Sequence, residues 1–358
     1  MSGSIHRFFL AWVVTTMGLA LVSGITSPAS ADEAKKEEKK ELIVGKWYPS
    51  LETGLAFTQG SYSDNWNGGD KGSIVWALIA NGTLENQMVP KANWRNTLKL
   101  AFGQTHQQKA NDSGGRYWEV PQKSTDLIDF ESLLRLTLGS YVDPFAAFAF
   151  QSQFQDVSDP FGRKLAFNPM QFKESAGIAR KFIDTEDKAL LSRVGFAFRQ
   201  NSRKTFVDVE EPLTTSTKTD ATNDGGIEWV TDYKTKVLEK KVSWTSKLTV
   251  YQPVFYSGRS ALKDLSASYL QANGIDPDVA ALSTQISSDW ENIWSSQITK
   301  IISVGLYMRW IYDAYDNSVK PLPTPEGGIS NPEAVHFGVR KAGQFKETLS
   351  IGITYRFL

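Results

Sequence analysis

The chain has 358 residues, with 39 basic and 39 acidic side chains, a neutral balance that gives a nucleic-acid partner no electrostatic support. It contains no cysteine, which excludes disulfides, thiolate chemistry and a lipidated N-terminal cysteine. Mean hydropathy is −0.31; this suits a soluble protein and equally a membrane barrel, in which only alternate residues face lipid.

Residues 1–31 have the form of a secretory signal. His6 and Arg7 make a short basic start, Phe8 to Leu21 is apolar, and Ala29-Ser30-Ala31 is a small-residue cleavage site before Asp32. The apolar run is shorter than the roughly 20 residues a spanning helix needs, so cleavage is expected rather than anchoring. Residues 32–50 open with the charged run DEAKKEEKKE and are expected to form a flexible periplasmic lead. A helical, partner-binding lead is the alternative, but the run has no apolar face to dock.

From Leu51 to the end, 51–358, the sequence predicts twelve β-strands at about 51–61, 71–85, 93–107, 124–139, 143–156, 170–183, 188–201, 225–238, 240–257, 287–299, 301–313 and 344–357. Apolar residues recur at every second position, as one-sided strands require. Phe148, Phe150 and Phe154 do so in the fifth; Ile302, Val304, Leu306, Met308, Trp310 and Tyr312 in the eleventh. The second strand is apolar on both parities, and its phase is open. Short turns, such as 141–144 and 184–187, alternate with longer connections, the longest being 202–224, 258–286 and 314–343. A soluble sandwich has no reason to sort its loops by parity, whereas an outer-membrane barrel has short periplasmic turns and long external loops. Of the long loops, 213–224 is threonine-rich and expected to be mobile. Segment 260–286 predicts a short helix pair broken at Gly274 and Pro277, and 314–343, with four prolines, is expected to be irregular.

Residues 344–357 alternate Phe345, Leu349, Ile351, Ile353, Tyr355 and Phe357 against Lys346, Thr348, Ser350, Gly352, Thr354 and Arg356. The run Ser350-x-Gly352-x-x-Tyr355-x-Phe357 resembles the C-terminal signal of bacterial outer-membrane barrels. That resemblance implies a final strand that the outer-membrane assembly machinery recognises and that closes the barrel. Leu358 trails the last aromatic, a departure from the commonest form. A second resemblance lies in residues 59–69, QGSYSDNWNGG, with support from Asp289-Trp290-Glu291-Asn292, Ile302–Leu306 and Trp310–Asp313. These segments look like a family of exported bacterial proteins described only as a domain of unknown function. The likeness implies a barrel and assigns no catalytic residue.

Sites of chemistry are few. His106 and His336 are the only histidines after the signal, and neither stands in the His-Asp-Ser-x-Gly context of an outer-membrane phospholipase. No catalytic residue, cofactor or metal site is expected. Asp64 to Asp70 has oxygen donors around glycines but lacks the spacing and distal glutamate of a calcium loop, and reads as a tight turn. Asn81-Gly82-Thr83 matches a glycosylation sequon by pattern alone. Trp66, Trp94, Trp118, Trp229, Trp244, Trp290, Trp294 and Trp310 lie mostly near strand ends, which suits interfacial girdles; a stacking track for a ligand is the alternative.

The polar parity of the strands is the expected lumen. It carries Arg95, Lys99, Arg135, Lys173, Lys181, Arg193, Arg199, Lys234, Lys236, Lys247, Arg309, Lys346 and Arg356, against Glu52, Asp129, Glu131, Glu228, Asp232 and Glu291. Gly54, Gly103, Gly139, Gly177, Gly195, Gly305 and Gly352 share that parity, leaving room or letting a strand bend. The reading is an all-β, transmembrane, up-and-down antiparallel barrel in the bacterial outer membrane, passing small solutes with mild anion preference. A plugged structural barrel whose loops bind a partner is the alternative, since inward charges can pair and fill the lumen. A soluble periplasmic β-protein is the third reading.

If the last strand directs assembly, Tyr355→Ala with Phe357→Ala removes two large side chains, each worth about 1.5–3 kcal/mol of burial. The heat-modifiable folded form should vanish from the outer-membrane fraction; normal levels would refute the assembly signal.

Overall fold

The computed structural model describes residues 42–61, 72–111, 115–139, 141–159, 161–207, 215–299 and 301–356. The expected signal, the charged run 32–41, the glycine turn at 64–70, Trp66 and Phe357 lie outside them.

Twelve long strands run β1 Trp47–Gly60, β2 Ser73–Val89, β3 Ala92–Ala110, β4 Gln122–Leu136, β5 Asp143–Ser152, β6 Met170–Asp184, β7 Lys188–Phe206, β8 Thr217–Val237, β9 Val242–Tyr256, β10 Ser287–Gln297, β11 Ile302–Tyr312 and β12 Gln344–Arg356. Each pairs antiparallel with its sequence neighbours, and β12 pairs with β1. The sheet is therefore a closed up-and-down barrel. Connections at one end are short (90–91, 137–142, 185–187, 238–241 and 298–301). Those at the other end are long (61–72, 111–121, 153–169, 207–216, 257–286 and 313–343). The sorting by parity read from the sequence is thus a property of the fold.

Three boundaries differ from the sequence expectation. β1 starts at Trp47, before Leu51. The expected loop 202–224 is mostly strand: β7 and β8 continue in register from Asn201↔Thr222 to Phe206↔Thr217. The extension carries Thr, Asp and Lys without apolar alternation, so the period-2 signal is missing although the backbone pairs; threonine still suits a strand there. Gly139, expected in the fourth strand, lies in the following turn with φ +72°. The open phase of β2 is settled by register: Ile79 and Asn81 pair with Ala101 and Lys99 and face inward, while Trp76 and Leu78 pair with Phe57 and Leu55 and face outward.

The outer face is apolar along this parity. Among its exposed side chains are Leu55, Phe57, Leu78, Phe196, Ile227, Leu349 and Ile351. Tryptophans fall in two bands. Trp47, Trp94, Trp244 and Trp294 lie toward the short-turn end; Trp76, Trp290 and Trp310 lie toward the long-loop end. Four indole N–H groups donate to outward neighbours on adjoining strands: Trp94 to Ser132 (2.8 Å), Trp229 to Ser192 (2.7 Å), Trp244 to Asn292 (3.1 Å) and Trp290 to Ser246 (3.0 Å). A ring that carries its own acceptor can lie against hydrocarbon at little polar cost.

The long loops 257–286 and 313–343 fold against each other. They hold α1 Arg259–Lys263, α2 Ala267–Ala272, α3 Val279–Leu282 and α4 Pro332–Gly338. Leu262, Leu270, Ile275, Val279, Tyr315, Ile329 and Val335 form a buried apolar cluster with Tyr256 at the end of β9. The expected helix pair is three short helices, with Gly274 (φ +65°) and Pro277 between the second and third. The proline-rich loop is irregular apart from α4. This cluster keeps the loops folded over the barrel mouth.

The inward glycines mark tight bends. A Cβ on Gly177 would lie 2.1 Å from the Val194 carbonyl oxygen, and one on Gly195 2.2 Å from that of Ala176. Gly195→Ala should thus destabilise the barrel by about 1–3 kcal/mol. Gly82→Ala, whose nearest neighbour would be 3.9 Å away, should leave it unchanged. The unfolding midpoint in detergent and denaturant distinguishes the two.

Candidate functional site in the barrel lumen

Alternation places most charged residues of the strands on the inner face, where an unpaired charge is costly. The inner charges are accordingly matched. Lys173 bonds Glu228 at 2.5 Å, Arg199 bonds Asp224 at 2.7 Å, and Arg309 grips Asp289 through both Nε (2.9 Å) and Nη2 (2.5 Å). Tyr251 donates its hydroxyl to the same Asp224 oxygen at 2.7 Å, and the Arg199 guanidinium stacks over its ring.

Other pairs reach across the lumen. Lys99 on β3 bonds Glu291 on β10 at 2.5 Å. Glu131 on β4 receives Lys247 from β9 and Arg193 from β7, each at 2.7 Å, and Arg193 also reaches Asp232 at 3.4 Å. These pairs are chords of the barrel. The Lys99–Glu291 chord divides the lumen into the arc β4–β9 and the arc β11–β12–β1–β2. In the first arc the wall is packed: Arg193 is 3% exposed, Ala197 0%, and Ala179, Val230 and Phe145 are buried beside them. In the second, inward side chains stay open to solvent, with Val75 at 36% and Ile79 at 38%, and Thr58, Asn81 and Thr348 exposed as well. A cavity of about 250 Å³, lined among others by Asp129, Gln151, Lys173, Arg199, Glu228 and Lys247, lies on the β4–β9 side of the Lys99–Glu291 chord, nearer the long-loop end than the packed level of Arg193.

The remaining predicted lumen residues are distributed along the barrel. Asp129 accepts from Gln151 at 3.1 Å. Arg135 faces Asp143 at 3.9 Å and Lys181 bonds Asp184 at 2.9 Å, both toward the short-turn end. Arg95 stands in register with Glu85. The backbone of Arg356 pairs with Glu52, that of Tyr355 with Thr53, and that of Gly352 with Ala56. Ser350 donates to the Gly305 carbonyl at 3.3 Å. Lys236 turns away to Asp187 in a short turn, at 2.8 Å.

The sequence reading missed two inner acids that matter. Asp289 shares the parity of Glu291 and was legible there. Asp224 fell in an expected loop. Each holds an arginine, so the excess of inner bases is smaller than alternation suggested. Beyond the strands, burial at the long-loop mouth pushes the Asp313 carboxyl up to about 6. In the loops, the ammonium of Lys341 holds Asp276 below the usual carboxylate range.

His106 lies within β3, and His336 sits on α4 with Nδ1 2.6 Å from the Gly274 carbonyl. Among the described residues, no group of three or more His, Cys, Asp or Glu is arranged to hold a metal ion.

Residues 57–156 match the model of a protein family of unknown function (DUF3078). The matched stretch contains the 59–69 segment and stops short of 289–313. No curated protein matches the chain. Among solved structures, the chain is similar to an outer membrane channel from Pseudomonas putida F1, with 10% identity, 91% of this chain and 99% of that one covered, and a TM-score of 0.36. It is also similar to the beta domain of the Bordetella autotransporter BrkA (9% identity, 87% and 98% covered, TM-score 0.29). A third is Pseudomonas aeruginosa OccK7 (8% identity, 87% and 99% covered, TM-score 0.24).

Glu131 is the common partner of two cations, one of them almost wholly buried. Glu131→Ala should cost about 3 kcal/mol, because it leaves buried Arg193 with only its longer contact to Asp232, at 3.4 Å. Glu239→Ala, which removes the partner of exposed Lys241 in a turn, should cost under about 1 kcal/mol. Denaturant unfolding of the purified barrel reads both.

Proposed function

We propose that the protein is a bacterial outer-membrane barrel that passes small solutes along one side of its lumen. The carrying observation is the unequal exposure on the two sides of the Lys99–Glu291 chord. The arc β4–β9 is constricted by packed side chains and ion pairs at the level of Arg193, above which it holds only the 250 Å³ cavity, while the arc β11–β12–β1–β2 keeps solvent-exposed inner residues. Passage therefore follows the second arc. The outer apolar face, the two tryptophan bands and strands of 10–21 residues support insertion, since a tilted membrane strand needs only about 9–11.

Ion pairs across the lumen and within the wall together neutralise most inner bases, and the open arc is lined chiefly by hydroxyls, amides and aliphatic groups. Selectivity among ions is accordingly slight, with any anion preference resting on Lys346. A second reading, a barrel plugged by its ion pairs whose folded loops meet a partner, is favoured by the packed arc alone.

In planar bilayers the wild type should give small unitary currents with a reversal potential near zero under a KCl gradient. Lys99→Ala with Glu291→Ala removes the chord and should enlarge the unitary conductance. Glu291→Gln alone leaves Lys99 without its carboxylate and should move the reversal potential toward anion preference, an effect that weakens as salt shortens the screening length. Silence of both the wild type and the chord double variant would establish the plugged barrel.

A further inference from the structure

The seam that closes the barrel is incomplete. β1 and β2 pair along their whole length, from Trp47↔Asn86 to Gly60↔Ser73, and β11 and β12 pair from Ile302↔Ile353 to Ile311↔Gln344. Among the described residues, β1 and β12 pair only from Glu52↔Arg356 to Ala56↔Gly352. Above that point, residues 57–60 of β1 and 344–351 of β12 each have a partner on one side alone. At about 3.3 Å per residue, the unpaired edge of β12 is roughly 25 Å long.

Gly352 marks the divergence. A Cβ there would lie 2.4 Å from the Leu55 carbonyl oxygen, so the strands touch at this residue and separate beyond it. Side chains of both parities above it, Phe345, Lys346, Glu347, Thr348 and Leu349, are exposed.

The gap borders the apolar belt: of the four outward residues along it, Phe345, Leu349 and Ile351 are apolar, with Trp310 directly beside Phe345, and the fourth, Glu347, stands in register with Met308. An open strand edge facing only hydrocarbon would leave backbone groups unsatisfied at several kcal/mol each; such backbone persists where it lines a water-filled cavity. The exposed inner residues of the arc β11–β12–β1–β2 adjoin the gap, because that arc contains the same two strands. On its inner side stand Val75, Ile79, Thr58 and Thr348.

We infer that the gap between β1 and β12 is a lateral portal joining the open arc of the lumen to the surrounding lipid. It suits an uncharged small molecule with an apolar body and a hydrogen-bonding end. The aliphatic side chains take the body, and the unpaired backbone groups and threonine hydroxyls take the polar end. The inference rests on the membrane-embedded reading proposed above.

The absence of cysteine makes single-cysteine labelling unambiguous. Full-length protein carrying Thr348→Cys, an inward position, is labelled with bimane and reconstituted in vesicles containing brominated lipid. Most of its fluorescence should be lost to the lipid-borne quencher, and aqueous iodide should also quench it. Outward Leu349→Cys should be quenched by the lipid, and inward Thr249→Cys in the packed arc should not. No lipid quenching at 348, with quenching at 349 intact, would overturn the portal; no quenching at 349 would overturn the membrane reading and the portal with it. Complete spontaneous disulfide formation in Thr58→Cys with Ser350→Cys would mean that the strands meet, and would also overturn it. Joining that pair with a bis-maleimide should abolish uptake of the uncharged dye N-phenyl-1-naphthylamine by intact cells expressing the protein. Unchanged uptake after joining would refute lateral passage.

Discussion

A β-sheet that curls on itself removes its own edges, and every other feature of this protein follows from that closure. Each interior strand has two partners by construction, so the only pairing that must be formed over the full length of the chain is β12 with β1. Here it is made by backbone pairs around Gly54 and Gly352, where a side chain on Gly352 would collide with Leu55. The same closeness that permits the seam also limits it, because the strands diverge directly beyond the glycine.

Closure sorts the side chains by parity into an apolar outer wall and a confined polar interior. Like charges in such an interior repel strongly and single charges are poorly solvated. The barrel meets this by pairing: Glu131 lies between Lys247 and Arg193, Glu291 opposes Lys99, and Asp224 holds Arg199. Because two of these contacts join strands on opposite sides of the wall, the ion pairs also decide the shape of the free lumen. Packing and charge together bury the inner residues of one arc around Arg193 and leave those of the other exposed.

The outer wall needs its own polar accounting. Its tryptophans sit at the two ends of the strands, as amphipathic rings do at a membrane interface. Ser132, Ser192, Ser246 and Asn292 interrupt the apolar parity, and each accepts an indole N–H from an adjoining strand. These four polar residues of the outer face are therefore partners of its tryptophans. The chain's compact apolar cluster lies elsewhere, in the long loops, where Leu262, Val279, Tyr315 and Val335 pack as in a water-soluble domain.

Strand number, strand order and the sorting of short and long connections were legible in the sequence, because each depends on local alternation and turn chemistry within a few residues. Parity likewise assigned the inner face wherever one side of a strand was clearly apolar. It failed at β2, whose Val75, Ile79, Trp76 and Leu78 read alike until pairing with Lys99 and Phe57 set their faces. It failed again at 217–224, where neither face of the strand is apolar, so no alternation marks it, and Asp224 was lost to a loop. No local pattern could have paired Lys99 with Glu291 or Glu131 with Lys247, since strands far apart in sequence meet only when the wall curves to bring them opposite. The sequence by itself determined a barrel with charges turned inward. Curvature and closure alone decided which charges cancel, which arc stays open and where the seam between the first and last strands parts.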